Sequence, residues 1–147
     1  MSTYSFLNTH CALVGPGGSI SLGSGAGVAD EGITIEPNAE INTMTIAADG
    51  AVMHSLGANK SRTVTVRLLK TSPVNAQLAA LYAFQTASAV NHGVNTITIA
   101  NTQTQDIITC RHVAFKRGVP LTYAKDGGMN EWTFDVGKCD ETLGVVV

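Results

Sequence analysis

A chain of 147 residues has the length of one domain and can bury roughly two thirds of its unfolded surface in a single core. Only 14% of its residues are charged against 44% hydrophobic, and nine Lys and Arg face eleven Asp and Glu, for a formal charge of -2 and a pI near 6.0. The cations are scattered rather than striped, so no basic field holds nucleic acid by its phosphates, and tight nucleic-acid binding is not expected.

Such a composition suits a chain that buries part of its exterior against copies of itself, and equally an ordinary Thr-rich β domain. The opening MSTYSFLNTH lacks the basic start and long apolar core of a signal peptide. The longest apolar run, residues 78–84, is too short for a bilayer. A soluble protein made in a cytoplasm is expected, with no membrane partner.

In chain order, residues 4–14 read as a first strand and residues 20–22 as a short one before a flexible glycine-rich stretch at 23–27. Ile33 and Ile35 alternate with Thr34 and Glu36 until Pro37 ends the run. Met44 and Ile46 then alternate with Thr43 and Thr45, which predicts two strands joined by a Pro-Asn turn. Residues 47–61, AADGAVMHSLGANKS, show neither period and carry the turn formers Asp49, Gly50, Gly57 and Asn59. They predict a long loop, and loops of that length in compact domains are usually functional. With Val52, Met53 and Leu56 it gains little in water, so Val52, Met53, His54, Leu56 and Asn59 are expected to reach a neighbouring subunit.

Residues 63–85, TVTVRLLKTSPVNAQLAALYAFQ, set an alternating strand directly against a helix. Val64, Val66 and Leu68 share one face and Thr65 and Arg67 the other. Ser72 offers an N-cap oxygen, Pro73 fits the first helical position, and Leu78, Leu81 and Tyr82 form one apolar stripe. This predicts a helix from residue 73 to about 89, stopped by Gly93. A hairpin follows, residues 96–99 with 106–115 across the polar turn 101–105. A last hairpin pairs residues 121–125 with 131–136 through Asp126, Gly127 and Gly128. Trp132, Phe134 and Val136 point inward, Glu131, Thr133 and Asp135 outward. The order of elements predicts a mainly β single domain: two packed antiparallel sheets, sandwich or barrel, with one flanking helix.

Chemical motifs are weak throughout. Neither Gly15, Gly17 and Gly18 nor Gly23, Gly25 and Gly27 is followed by the Lys-Ser/Thr pair of a phosphate loop. Val28 stands where a dinucleotide fingerprint needs its third glycine. His10, His54, His92 and His112 lack metal-ligand spacing, and Asp30 and Glu31 are neighbours whose side chains diverge on a strand. No Gly-x-Ser-x-Gly elbow occurs, so nothing argues for catalysis or for a cofactor or metal. Cys11, Cys110 and Cys139 are odd in number and widely spaced, which predicts unlinked thiols in a reducing compartment.

The segments GPGGSISLGSGAGVADEGITIEP, INTMTIAADG, TVTVRLLKTSPVNAQL and GGMNEWTFD, taken in this order and spacing, resemble the tail tube proteins of contractile-tailed bacteriophages over residues 4–140. The resemblance implies two packed β-sheets with a flanking helix, and six copies closing a ring. Rings would stack into a hollow tube inside a sheath, between baseplate and tail terminator proteins. It also implies DNA passing through without tight or sequence-specific binding, in a virion tail assembled in the host cytoplasm. Strands pairing across subunits would close such a barrel without free edges. The channel wall is then expected to be polar and weakly acidic, with Thr34, Glu36, Thr65, Arg67, Thr133 and Asp135 lying opposite the apolar core sets. A ligand-binding β-sandwich, such as a carbohydrate module, remains an alternative, although such sites display exposed aromatics and only 5% of this chain is aromatic. A tube subunit of a related contractile injection system and a small β-fold enzyme are the others.

Overall fold

Alternating side chains decide most of the architecture. The computed structural model describes residues 4–23 and 28–144, with side chains described from residue 32 onward in the second span. Nine strands follow in order: β1 (Thr9–Gly15), β2 (Gly18–Ser21), β3 (Val28–Pro37), β4 (Asn42–Ile46), β5 (Val52–Leu56), β6 (Arg62–Leu69), β7 (Asn95–Asn101), β8 (Asp106–Phe115) and β9 (Met129–Thr142). One helix, α1 (Val74–Thr86), separates β6 from β7. Seven strands make one antiparallel sheet in the order β2-β1-β7-β8-β9-β6-β3, and β4 and β5 make a second, two-stranded sheet. The class is therefore as expected, mainly β with two antiparallel sheets and one helix, but the division between the sheets is very unequal.

One face of the large sheet carries the core. Val64, Val66 and Leu68 of β6 are fully buried beside Trp132, Phe134 and Val136 of β9, and Cys11, Leu13, Ile97, Ile99, Cys110, Val113 and Phe115 continue the same cluster. The helix adds Val74, Leu78 and Leu81, with Tyr82 packed half-buried against the cluster. Thirteen helical residues cannot roof seven strands, so the sheet itself must coil over its own apolar face, as the right-handed twist of strands favours. Phe115 sits at the centre of the aromatic packing, 4.9 Å from Phe134, 5.4 Å from Tyr82 and 6.1 Å from Trp132 between ring centroids.

Four expectations are corrected. Residues 121–125 form no strand and pair with nothing in β9. Instead β9 takes β6 as its partner, because the register Val64 to Phe134 and Val66 to Trp132 puts apolar residues opposite each other on one face. Pro37 and Asn38 do not turn β3 back onto β4. β3 pairs with β6, and the chain leaves the main sheet at Pro37 and re-enters it at Arg62. Residues 47–61 are not a loop throughout, since β5 pairs with β4 from Asn42 and Leu56 to Ile46 and Val52. The helix ends at Thr86, whose hydroxyl donates back to the Tyr82 carbonyl at 2.7 Å. Ser88 then caps a separate 3-10 turn, Ala89–Asn91, and Gly93, at φ +79°, follows that turn rather than the helix.

Other local readings match the structure. The Ser72 hydroxyl accepts from the Val74 amide at 3.3 Å, and Pro73 holds helical angles beside it. Asn101 accepts from Gln103 and Thr104 in the turn between β7 and β8, where Gln105 takes φ +60°. Residues 4–8 add a 3-10 turn, Phe6–Asn8, in front of β1. The glycine-rich stretch at 24–27 and the side chains of Asp30 and Glu31 lie outside the described residues.

Helix and sheet are joined by a buried amide clasp. Gln85 donates to Asn95 Oδ1 and Asn95 donates to Gln85 Oε1, both at 2.6 Å, while Gln85 Nε2 also donates to the Pro16 carbonyl at 3.0 Å. Both amides are wholly buried. Gly15 makes room for them, since a Cβ at that position would stand 1.7 Å from Asn95 Oδ1. At the other end of α1, Asn75 accepts from Trp132 Nε1 at 3.0 Å and donates to the Leu69 carbonyl at 2.9 Å.

Candidate assembly surface

The β4–β5 ribbon is built by its turn. The Ala47 amide donates to the Ala51 carbonyl at 2.8 Å, Asp49 Oδ1 accepts from the Ala51 amide at 3.0 Å, and Gly50 supplies φ +91°. With residues alternating across each strand, Met44, Ile46, Val52 and Leu56 fall on one side with Asn42 and His54, and Thr43, Thr45, Met53 and Ser55 on the other. Every residue from 36 to 60 is exposed, Leu56 at 83%. Four apolar side chains on one face of a ribbon with no core beneath it are an unsatisfied surface.

Of the loop residues expected to meet a neighbour, Val52, Met53, His54 and Leu56 lie on β5, with Val52 and Leu56 on the apolar face and Met53 on the opposite one. His54 Nδ1 lies 3.2 Å from the Asn42 side-chain amide. Asn59 instead turns inward on its own chain, accepting from the Ser61 amide and hydroxyl. Met44 and Ile46 were missed as surface residues because their alternation with threonine reads as a half-buried strand. The pairing signal was present in the alternation of Val52, His54 and Leu56 around the Asp49-Gly50 turn.

At the opposite end of β6, roughly 23 Å away for eight strand residues, residues 116–128 present Lys116, Arg117 and Lys125 with Leu121 and Tyr123, the latter 83% exposed. Lys70 donates to the Thr122 carbonyl and stands 3.9 Å from the centre of the Tyr123 ring. The two ends of the sheet therefore differ: an apolar ribbon with Glu40 and Asp49 at one, and a cationic loop with exposed apolar residues at the other.

The six candidates for a polar wall come together on the side of the sheet away from the core. Thr34, Thr65 and Thr133 form one cross-strand row, and Glu36 and Asp135 flank Thr63 in the next. Arg67 donates to the Thr34 hydroxyl at 3.0 Å and lies 3.6 Å from Glu131, while Lys116 stands 4.0 Å from Asp135. Three carboxylates face two cations here, and further along the same side Arg111 lies opposite Lys138 with Asp140 in the next pair, which brings the face to balance. Glu36 and Asp135 are exposed, but Thr133, expected outward, is buried at 7%, because β9 is a central strand and Thr133 lies between Thr65 of β6 on one side and Lys116, just past β8, on the other. β2 and β3 are the edge strands of the sheet.

The thiols are all free and buried. Burial pushes Cys11 up to about 12 and raises Cys110 and Cys139 as well, which keeps scarce the thiolate that nucleophilic chemistry requires. Among the described residues no three His, Cys, Asp or Glu side chains cluster to hold a metal ion, and no helix is long and apolar enough to cross a membrane.

This fold is shared with components of contractile injection systems. The PVC sheath/tube terminator of an extracellular contractile injection system matches with a TM-score of 0.59 at 14% identity, covering 97% of this chain and 98% of that one. The anti-feeding prophage tube-terminating cap matches with 0.57 at 10% identity, covering 98% and 93%. A chain of the PVC sheath-tube complex matches with 0.50 at 13% identity, covering 90% and 88%. No curated protein sequence matches the chain. Residues 1–144 match the Bacteriophage PhiTE tail tube protein family, and the chain belongs to that family. It is a structural component of a phage tail.

Proposed function

We propose that the chain is the repeating subunit of a contractile tail tube, with six copies closing a ring and rings stacking head to tail inside a sheath. DNA passes through the lumen during ejection, baseplate and tail terminator proteins close the two ends, and assembly takes place in the host cytoplasm. The observation that carries this reading is the exposed apolar face of the β4–β5 ribbon. Stacked identical rings bring one end of each subunit against the other end of the next, so the ribbon, which continues β3 and β6 beyond the sheet, reaches the end that carries residues 116–128. Burying on the order of 100 Å² on each of Met44, Ile46, Val52 and Leu56 contributes about 2.5 kcal/mol apiece before the cost of association. The edge strands β2 and β3 supply unpaired backbone for lateral contact within a ring. The polar face with Thr34, Glu36, Thr65, Arg67, Thr133 and Asp135 lines the channel, where carboxylates set beside the cations keep phosphates from lodging.

The test replaces the apolar face alone: Met44→Ser, Ile46→Thr, Val52→Thr and Leu56→Ser in one variant. Its circular dichroism and melting temperature should match those of the parent, because the ribbon covers no core, while tubes seen by negative stain should disappear. Tubes of normal abundance from the folded variant sink the proposed role of the ribbon.

A further inference from the structure

We propose that Cys110 and Cys139 form a disulfide site, closing into a covalent staple between β8 and β9 when the folded chain meets a peroxide. The two residues are direct partners in the β8–β9 register, and their sulfurs lie 3.2 Å apart. Directly opposed strand residues hold their Cβ atoms about 4.5–5.5 Å apart, and a disulfide asks for about 3.5–4.5 Å, so closure needs a shift on the order of 1 Å. The third thiol competes poorly. Cys11 lies on β1 opposite Ile99, two strands from β8.

The reaction balances with one peroxide. One thiol, as its thiolate, attacks a peroxide oxygen and becomes a sulfenic acid with release of water. The second sulfur then attacks the sulfenic sulfur and expels a second water. Two thiols and hydrogen peroxide give one disulfide and two waters, the sulfur atoms losing two electrons in all. Burial, which raises both thiols, keeps thiolate scarce and the step slow. In a reducing compartment the pair stays open. Outside the cell, where nothing reduces it, closure is one-way. The 28 residues between the two cysteines then become a covalent loop containing the end of β8, residues 116–128 and most of β9. This inference does not depend on the tube reading.

The test treats purified folded chain with hydrogen peroxide at pH 8, removes the excess with catalase, then unfolds the protein and labels remaining thiols with N-ethylmaleimide. Untreated protein should take three labels and treated protein one. The tryptic fragment ending at Arg111 should be joined to the one beginning at Cys139. Cys11→Ser should give the same joined fragments with no label left, and Cys110→Ser should give none. The oxidised chain should also unfold at higher urea than the same sample after reduction. Three labels after treatment, a link through Cys11, or sulfinic acid at Cys110 or Cys139 without a link each overturn the proposal, and the wild-type and Cys11→Ser results decide it even if Cys110→Ser fails to fold.

Discussion

Replacing Gln85 with Leu should be among the most damaging single changes outside the apolar core. Leucine keeps most of the volume, so little cavity is created, but both ends of the Asn95 amide lose bonds of 2.6 Å in a site with no access to water. The Pro16 carbonyl also loses its donor, although that group is only partly buried and recovers water. A buried donor or acceptor left without a partner costs roughly 1–3 kcal/mol, so the two orphaned ends of Asn95 give about 2–6 kcal/mol, reduced somewhat by the apolar burial of the new side chain. We expect a net loss of about 3 kcal/mol, which for a domain of this size lowers Tm by roughly 10 °C. Urea unfolding of the soluble chain measures it. In Gln85→Leu with Asn95→Ala the orphaned amide is gone, so the double variant should lose less than the sum of the singles by more than about 0.5 kcal/mol. A loss below about 1 kcal/mol for Gln85→Leu, or additive singles, refutes the clasp as an energetic unit.

Gly15→Ala should destabilise by more than the few tenths of a kcal/mol usual at a surface, because its methyl meets the Asn95 side chain, and Asn95→Ala should relieve part of the loss; equal urea midpoints for Gly15→Ala and wild type contradict the contact. Asn75→Ala frees the Trp132 indole N–H and the Leu69 carbonyl, and a loss of about 1–3 kcal/mol is expected by urea unfolding. The raised Cys11 thiol makes the folded state hold its proton longer than the unfolded one, so its contribution is complete below pH 9.0 and is lost as pH climbs from there towards 12; Cys11→Val should show a shallower decline in urea midpoint over that range, and an identical decline contradicts the burial. Glu36→Lys with Asp135→Lys should assemble normally but slow DNA ejection at low salt, with recovery as salt screens the field, and a wild-type ejection rate at low salt removes these residues from the lumen.

Strands whose two faces differ were readable from the sequence: β6, β8 and the inward set of β9 follow directly from alternation, and the Ser72-Pro73 signal placed the helix start within a residue. The failures share a cause. Pairing partners are chosen by tertiary fit, so nothing local told residues 121–125 that β6 would offer β9 a better apolar face. The ribbon was hidden for a different reason. Period-two reading looks for one buried side, and β5 buries neither, with Val52 and Met53 equally exposed on opposite faces. The clasp was invisible because Gln85 fits a helix and Asn95 a loop, and only the folded chain brings the end of α1 to the start of β7. Likewise Cys110 and Cys139, far apart in sequence, become neighbours through the β8–β9 register alone.

The ribbon also bears on how polymer growth begins. Its ten residues make five cross-strand pairs and rest on nothing, and a two-stranded hairpin by itself is only marginally stable in water. Under the proposed assembly, part of the free energy released on docking is therefore spent in ordering the ribbon. An encounter between two free subunits seats a single ribbon and returns little beyond that cost. Arrival at a finished ring, where lateral and axial neighbours are already in place, returns much more. The expected kinetics are a long lag abolished by added tube fragments, with elongation from existing ends far outpacing spontaneous starts.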